Sequence, residues 1–138
     1  MGNGTEKMSI ANCPVTATID AIGGKWKPLI LYFLKERPHR FGELTRRIDG
    51  ATKKVLTEHL RELELAEIVE RTVYERTPPQ RVEYSLSAYG ETLRPVLNLM
   101  CDWGLAHRAR ETRRAEATTR LAREPTPAPN SAAAQARG

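Results

Sequence analysis

Apolar positions between residues 14 and 63 recur at helical spacing and break wherever glycine or proline intervenes. Pro14 suits the first turn of a short helix running to about Ile22, and Gly23-Gly24 ends it. A second helix starts around Trp26 and tolerates Pro28 in its first turn. The dense run Leu29, Ile30, Leu31, Phe33 and Leu34 marks it as the central core helix, and Arg37-Pro38 stops it. Phe41, Leu44 and Ile48 fall at i, i+3 and i+7, so residues 42–49 read as a third, short helix with Arg46 and Arg47 on its outer side. Asp49-Gly50-Ala51 is a glycine-bearing gap of the length a helix-turn-helix uses, and Thr52 is a natural N-cap for a fourth helix. On that helix Val55, Leu56, Leu60 and Leu63 gather on one side, while Lys53, Lys54, Thr57, Glu58 and Arg61 gather on the other. One face packs and the other is free to meet a partner.

The period then changes from helical to twofold. Residues 68–74 mix β-branched side chains with charges, and Val82-Glu83-Tyr84-Ser85-Leu86 alternates, so the two stretches read as hairpin strands. Between them Pro78 and Pro79 forbid continued ladder pairing, and Arg76 and Arg81 have no core role, which describes a basic wing. Ser87 caps a last helix carrying Leu93, Val96, Leu97, Met100 and Gly104, in which Pro95 predicts a kink unless it lies in the first turn. Leu99 and Trp103 widen this stripe beyond what one small core needs, so part of it is expected to pack on a partner chain. The fold class is therefore α+β, a winged helix-turn-helix with flanking N- and C-terminal dimerisation helices. Val15 and Ile19 on the first helix, with Val96, Leu99, Met100 and Trp103 on the last, are the expected dimer interface. Residues 1–12 read as a flexible arm and 13–107 as the winged helix domain. Residues 108–138 read as a charged helical extension, with pairs such as Glu116 and Arg120 at i, i+4, ending in a disordered Pro/Ala-rich tail.

A formal net charge of +5 in 138 residues fits a polyanionic partner, but many soluble proteins are mildly basic, so the distribution of charge decides more than its sum. The chain has no run of 18 apolar residues, and its first twelve lack the charged-then-apolar pattern of a signal peptide, so a cytoplasmic protein is expected. Cys13 and Cys101 cannot make a disulfide scaffold and lack metal-ligand spacing with His39, His59 and His107; neither metal nor cofactor is expected. No nucleophile, base and orienter are grouped, and no glycine-rich phosphate loop follows a strand, which argues against an enzyme. Trp26, Phe33, Tyr84 and Trp103 have the spacing of core or dimer packing rather than of a ligand cage. Cys13 would sit at the N-cap of the first helix, where the helix dipole favours thiolate. It is a candidate redox or electrophile sensor, weighed against a silent, half-buried thiol.

The order of elements, together with Cys13-Pro14, Ile22-Gly23-Gly24-Lys25-Trp26, Arg40-Phe41-Gly42-Glu43-Leu44, the run from Lys54 to Leu63 and Val82-Glu83-Tyr84-Ser85-Leu86 with Tyr89-Gly90, resembles the HxlR-type transcription regulators over residues 13–107. The resemblance implies a DNA-binding dimer, and in some members of the family a cysteine at the place of Cys13 senses oxidants or electrophiles. The chain departs from the family pattern at Ala66-Glu67, where an Asp-Gly or Asn-Gly turn is usual, at the wing, where Gln80 precedes Arg81, and at His59.

A helix fits the major groove with its exposed N-terminal half against base edges, while flanking basic groups hold phosphates. The expected DNA contacts are therefore Thr52, Lys53, Lys54, Thr57 and Arg61 on the fourth helix, Arg76 and Arg81 on the wing, and Arg40 before the third helix, with Lys25 as a further clamp. For Arg46 and Arg47 a solvated face and a phosphate contact are equally compatible with the pattern. The expected partners are double-stranded DNA carrying a pseudo-palindromic operator, a second copy of the chain, and a small-molecule or electrophile effector. The alternative is a winged-helix protein-interaction module whose Lys53, Lys54 and Arg61 face meets an acidic partner.

Overall fold

Pro14 and Pro28 each lie in the first turn of a helix, where a missing N–H costs nothing. In the computed structural model, which describes residues 7–75 and 77–125, these helices are α1, Pro14–Ile22, and α2, Lys27–Leu34. A short 3₁₀ turn, Ile10–Asn12, precedes them. The chain continues through β1, His39–Arg40; α3, Phe41–Arg47; α4, Lys53–Leu65; β2, Val69–Val73; β3, Val82–Leu86; α5, Ala88–Glu91; and α6, Arg94–Arg123. The chain divides into two compact units, Met1–Asn98 and Leu99–Gly138, with the division inside α6.

The first unit is a winged helix. Its core gathers Ile30, Leu31 and Leu34 of α2, Leu44 of α3, and Leu56, Leu60 and Leu63 of α4, all at 2% exposure or less. Ile22, Ile48, Ile68, Val69, Leu86 and Leu97 complete it, with Trp26, Phe33 and Tyr84 packed against its edge. Burial of Leu56, Leu60 and Leu63 at i, i+4 and i+7 turns Lys53, Lys54, Thr57, Glu58 and Arg61 outward, as their periodicity predicts. Gly50 takes a φ of 89° in the turn before α4, a conformation that favours glycine.

Three details differ from the sequence expectation. The sheet has three antiparallel strands in the order β1-β3-β2, because His39 and Arg40 pair with Tyr84 and Glu83. A strand of two residues after a proline carries no readable alternation. The third helix starts at Phe41 rather than Gly42 and ends at Arg47. The expected last helix is two: Ser87 caps the four-residue α5, accepting from the Gly90 amide at 2.8 Å, and α6 begins anew at Arg94 with Pro95 in its first turn. Gly90 is required there, since a Cβ would run into the Ile68 carbonyl.

The turn between α4 and β2 forms without glycine. Glu67 takes a φ of 61°, its amide bonds the Glu64 carbonyl at 2.9 Å, and the Ile68 amide bonds the Leu63 carbonyl at 3.0 Å. This is the Schellman arrangement, with buried Leu63 and Ile68 as its apolar partners. The Ser87 hydroxyl donates to the Glu67 carbonyl at 2.5 Å and so ties the turn to α5.

The second unit is described up to Pro125 and consists of the remainder of α6. Trp103 is stacked on His107 with ring centroids 4.9 Å apart. The expected ion pair between Glu116 and Arg120 does not form; Glu111 instead pairs with Arg114 at 3.0 Å and Arg110 at 3.5 Å. Among the described residues no helix is long and apolar enough to cross a membrane. Of the expected arm and tail, residues 1–6 and 126–138 lie outside the described residues.

Candidate nucleic-acid interface

Thr52 starts α4. Its Oγ1 accepts from the Val55 amide at 3.1 Å, satisfying one of the free N–H groups at the start of α4. One turn on, the Thr57 hydroxyl donates to the Lys53 carbonyl at 2.8 Å. Both hydroxyls are thus held by the helix itself. Lys53, Lys54 and Arg61 are exposed and form no ion pair among the described residues. The outer face of α4 therefore offers three unneutralised cations on a rigid cylinder whose opposite side is buried.

His59 lies at the edge of that buried side. Its Nδ1 is 3.5 Å from Glu62 Oε2, an ion-pair distance without hydrogen-bond geometry. Glu62 is claimed first by Lys27 Nζ at 2.7 Å, whose hydrogen bond and charge hold its carboxyl below the ordinary range. This contact joins α2 to α4.

On the wing, β2 and β3 pair from Val69 with Leu86 to Val73 with Val82, and the Tyr74 amide extends the ladder by bonding the Arg81 carbonyl at 2.8 Å. The Arg81 guanidinium lies over the Tyr74 ring, 4.9 Å from its centroid, with Nε 3.9 Å from Glu83. From sequence Tyr74 reads only as the end of a strand, and its contact with Arg81 is set by the hairpin pairing. Arg76 lies outside the described residues. Between the wing and the start of α3 runs an open groove of about 470 Å³, lined by Arg40 and Arg81 among others. The Arg40 amide donates to Glu43 Oε1 at 3.1 Å, which, with Arg37 at 3.0 Å, holds the Glu43 carboxyl below its usual range. The Arg40 side chain itself is exposed and makes no ion pair among the described residues.

Arg47 is exposed but folds back against the edge of the core. Its Nη1 donates to His39 Nε2 at 2.6 Å, its guanidinium lies 4.3 Å from the Phe33 ring centroid, and Glu36 is 3.4 Å away. Since arginine only donates, the proton of the buried His39 ring is on Nδ1, which donates to the Arg37 carbonyl at 2.8 Å. Lys25 is exposed, with its ammonium 5.1 Å from the Trp26 ring centroid.

Cys13 is the N-cap residue of α1 and is half-buried. No hydrogen bond of full cap geometry reaches its sulfur, yet the Thr16 hydroxyl and then the Thr16 amide hold the thiol below its ordinary range, against a smaller opposing effect of burial. Cys101 is also half-buried and free. The six expected interface side chains, Val15, Ile19, Val96, Leu99, Met100 and Trp103, are all exposed, Leu99 and Trp103 to 69% and 70%. Among the described residues no group of three or more His, Cys, Asp or Glu gathers to hold a metal.

The HxlR-like helix-turn-helix family matches residues 21–112. Over 93 residues, 67% of this chain and 78% of the relative, the sequence is 47% identical to YkvN of Bacillus subtilis (strain 168), an uncharacterized HTH-type transcriptional regulator. Among solved structures, the redox regulator HypR in its reduced form aligns with a TM-score of 0.67 at 44% identity, covering 70% of this chain and 94% of HypR. The reduced form of the transcriptional regulator YodB from B. subtilis aligns with a TM-score of 0.57 at 38% identity, covering 66% of this chain and 89% of YodB.

Proposed function

The chain belongs to the HxlR-like helix-turn-helix family, and from that premise we propose that it is a DNA-binding transcriptional regulator acting in the cytoplasm as a homodimer on a pseudo-palindromic operator. The observation that carries this is the two-sided α4: Leu56, Leu60 and Leu63 are sealed in the core, while Lys53, Lys54 and Arg61 stand outside without ionic partners among the described residues. In the major groove, Lys53, Lys54 and Thr57 on the first turns of α4 meet base edges and Arg61 meets a phosphate, with Thr52 setting the start of the helix. Arg81 and Arg76 reach the backbone or minor groove from the wing, and Arg40 clamps phosphate across the groove it shares with Arg81. Occupancy of a promoter is the mechanism, and a change in spacing between the two reading heads is the switch.

Cys13 is the proposed sensor. Its depressed pKa enlarges the thiolate fraction at neutral pH, and the thiolate is the reactive form. Its thiolate lone pair forms a new S–C bond to a ring carbon of a quinone-like electrophile; the C=C π bond at that carbon breaks, its electrons shift to open the conjugated C=O π bond onto oxygen, and that oxygen takes up a proton from water. That HypR is a redox regulator supports the same reading.

Footprinting of the purified protein on the DNA flanking its own gene, with and without a quinone, tests binding, symmetry and sensing together. A symmetric footprint is expected, abolished in Lys54→Ala/Arg81→Ala and released by quinone only when Cys13 is present. Unchanged binding after both substitutions would overturn the DNA-reading surface and favour an acidic protein partner. Unchanged release in Cys13→Ser would replace the thiol switch by a reversible small-molecule effector.

A further inference from the structure

Residues 108–123 of α6 carry six arginines, Arg108, Arg110, Arg113, Arg114, Arg120 and Arg123, against two glutamates, and no lysine. An exposed helix stabilised by its own charges would pair each guanidinium with a carboxylate three or four residues away. Here only Arg110 and Arg114 have a carboxylate partner, and they share Glu111. Arg108, Arg113, Arg120 and Arg123 are exposed with no ion pair among the described residues, so the repulsion of six like charges along the helix is only partly offset by Glu111 and Glu116. The residues between them are mostly alanine and threonine, short enough to let a bulky polyanion approach the helix surface.

The placement of these arginines argues against a second copy of the chain as their partner. At about 100° per residue, the apolar stripe of Val96, Met100, Trp103 and His107 continues into Arg110 and Arg114, so extending a symmetric seam past His107 would bring guanidinium toward guanidinium. On the helical wheel Arg113, Arg120 and Arg123 fall together on one side, flanked by Arg110 and Arg114, with Glu116 as the acid among them. From Arg113 to Arg123 the helix rises about 15 Å, enough to cross a major groove about 12 Å wide and reach both phosphate backbones. Guanidinium matches phosphate bidentately, which suits arginine rather than lysine to this task.

We propose that this face of α6 is a second DNA-contacting element, in which Arg113, Arg120 and Arg123 bind phosphates of the duplex that the helix-turn-helix reads. The inference rests on the DNA-binding function proposed above, because a unit covalently joined to a DNA-bound domain meets phosphate at high effective concentration. The arginines it uses lie beyond residue 112, where the match to the family model ends. Such contacts add affinity and salt dependence without adding sequence preference.

The test uses the full chain and a random-sequence duplex, with affinity followed by fluorescence anisotropy across a series of NaCl concentrations. Arg113→Gln/Arg120→Gln/Arg123→Gln keeps good helix formers in place, and circular dichroism checks that the helix persists. Removing one arginine from its phosphate makes the slope of log K against log salt shallower by about 0.9, so in the triple variant the slope is expected to fall by about 2 to 3 per protomer. Thr118→Gln/Ala122→Gln, on the other side of the helix, is expected to leave the slope where it was. An unchanged slope in the triple variant, with the unaltered chain binding duplex, overturns this inference alone and points to an acidic protein as the partner of the face. Failure of the unaltered chain to bind duplex at all overturns the DNA-binding function as well.

Discussion

Glu67 holds a φ of 61° in a turn whose two hydrogen bonds, Glu67 to Glu64 and Ile68 to Leu63, are those of a glycine-ended helix. The left-handed conformation costs an L side chain about 1–2 kcal/mol. Its exposed carboxylate forms no ion pair among the described residues to offset that cost. Glycine would remove the strain and return about 0.4–1 kcal/mol of it through a looser unfolded chain. Glu67→Gly is therefore expected to raise stability by about 0.5–1 kcal/mol, whereas Glu67→Ala, which keeps the Cβ, leaves it nearly unchanged. Urea unfolding at fixed protein concentration checks both, and a gain in the alanine variant equal to that in the glycine variant would show that the side chain rather than the backbone was at fault. The requirement for this turn is visible in the sequence, because Ala66-Glu67 stands where the family has glycine. What tolerates it is not, since the Ser87 hydroxyl that bonds the Glu67 carbonyl comes from twenty residues along the chain.

Elements were legible where their period was long enough to read. The face of α4 follows from Leu56, Leu60 and Leu63, and the caps at Thr52 and Ser87 follow from residue type. The two residues of β1 give no period, so the engagement of Arg47 with His39 was equally hidden, and Arg47 could be read only as a surface cation. The break between α5 and α6 was masked because Leu93, Val96 and Leu97 keep helical spacing straight through it. Within the wing, Arg81 was legible as a basic residue beside prolines, but the ring that orders it was not. A cation held over an exposed aromatic ring gains about 0.5–1 kcal/mol. If Arg81 binds phosphate from that pose, Tyr74→Ala is expected to weaken duplex binding by about two- to fivefold, and Tyr74→Phe, which keeps the ring, to retain it. Equal weakening in both variants would instead place the effect on the Tyr74 hydroxyl.

At the scale of the whole molecule, the core is modest and the apolar surface left over is not. Val15, Ile19, Val96, Leu99, Met100 and Trp103 are exposed on the first and last helices, where a lone small domain would carry polar residues. A second copy is the occupant that the proposed operator symmetry calls for, because two reading heads on one duplex bind more tightly than either alone by about 10²–10⁴. Leu99→Glu/Trp103→Glu places carboxylates at positions already open to water in the single chain, so its fold is expected to survive. Across a dimer seam the same carboxylates would be desolvated against apolar surface or each other, at a cost of several kcal/mol. The variant is therefore expected to sediment as a monomer with unchanged helix content, and to lose about a hundredfold or more in affinity for the footprinted duplex. Its affinity for a duplex cut to one half-site should match that of the unaltered chain, since each head keeps its own contacts. A variant that remains a dimer would move the interface off this helix, while a monomer that still binds the full footprint as tightly would remove symmetry, rather than DNA, from the mechanism.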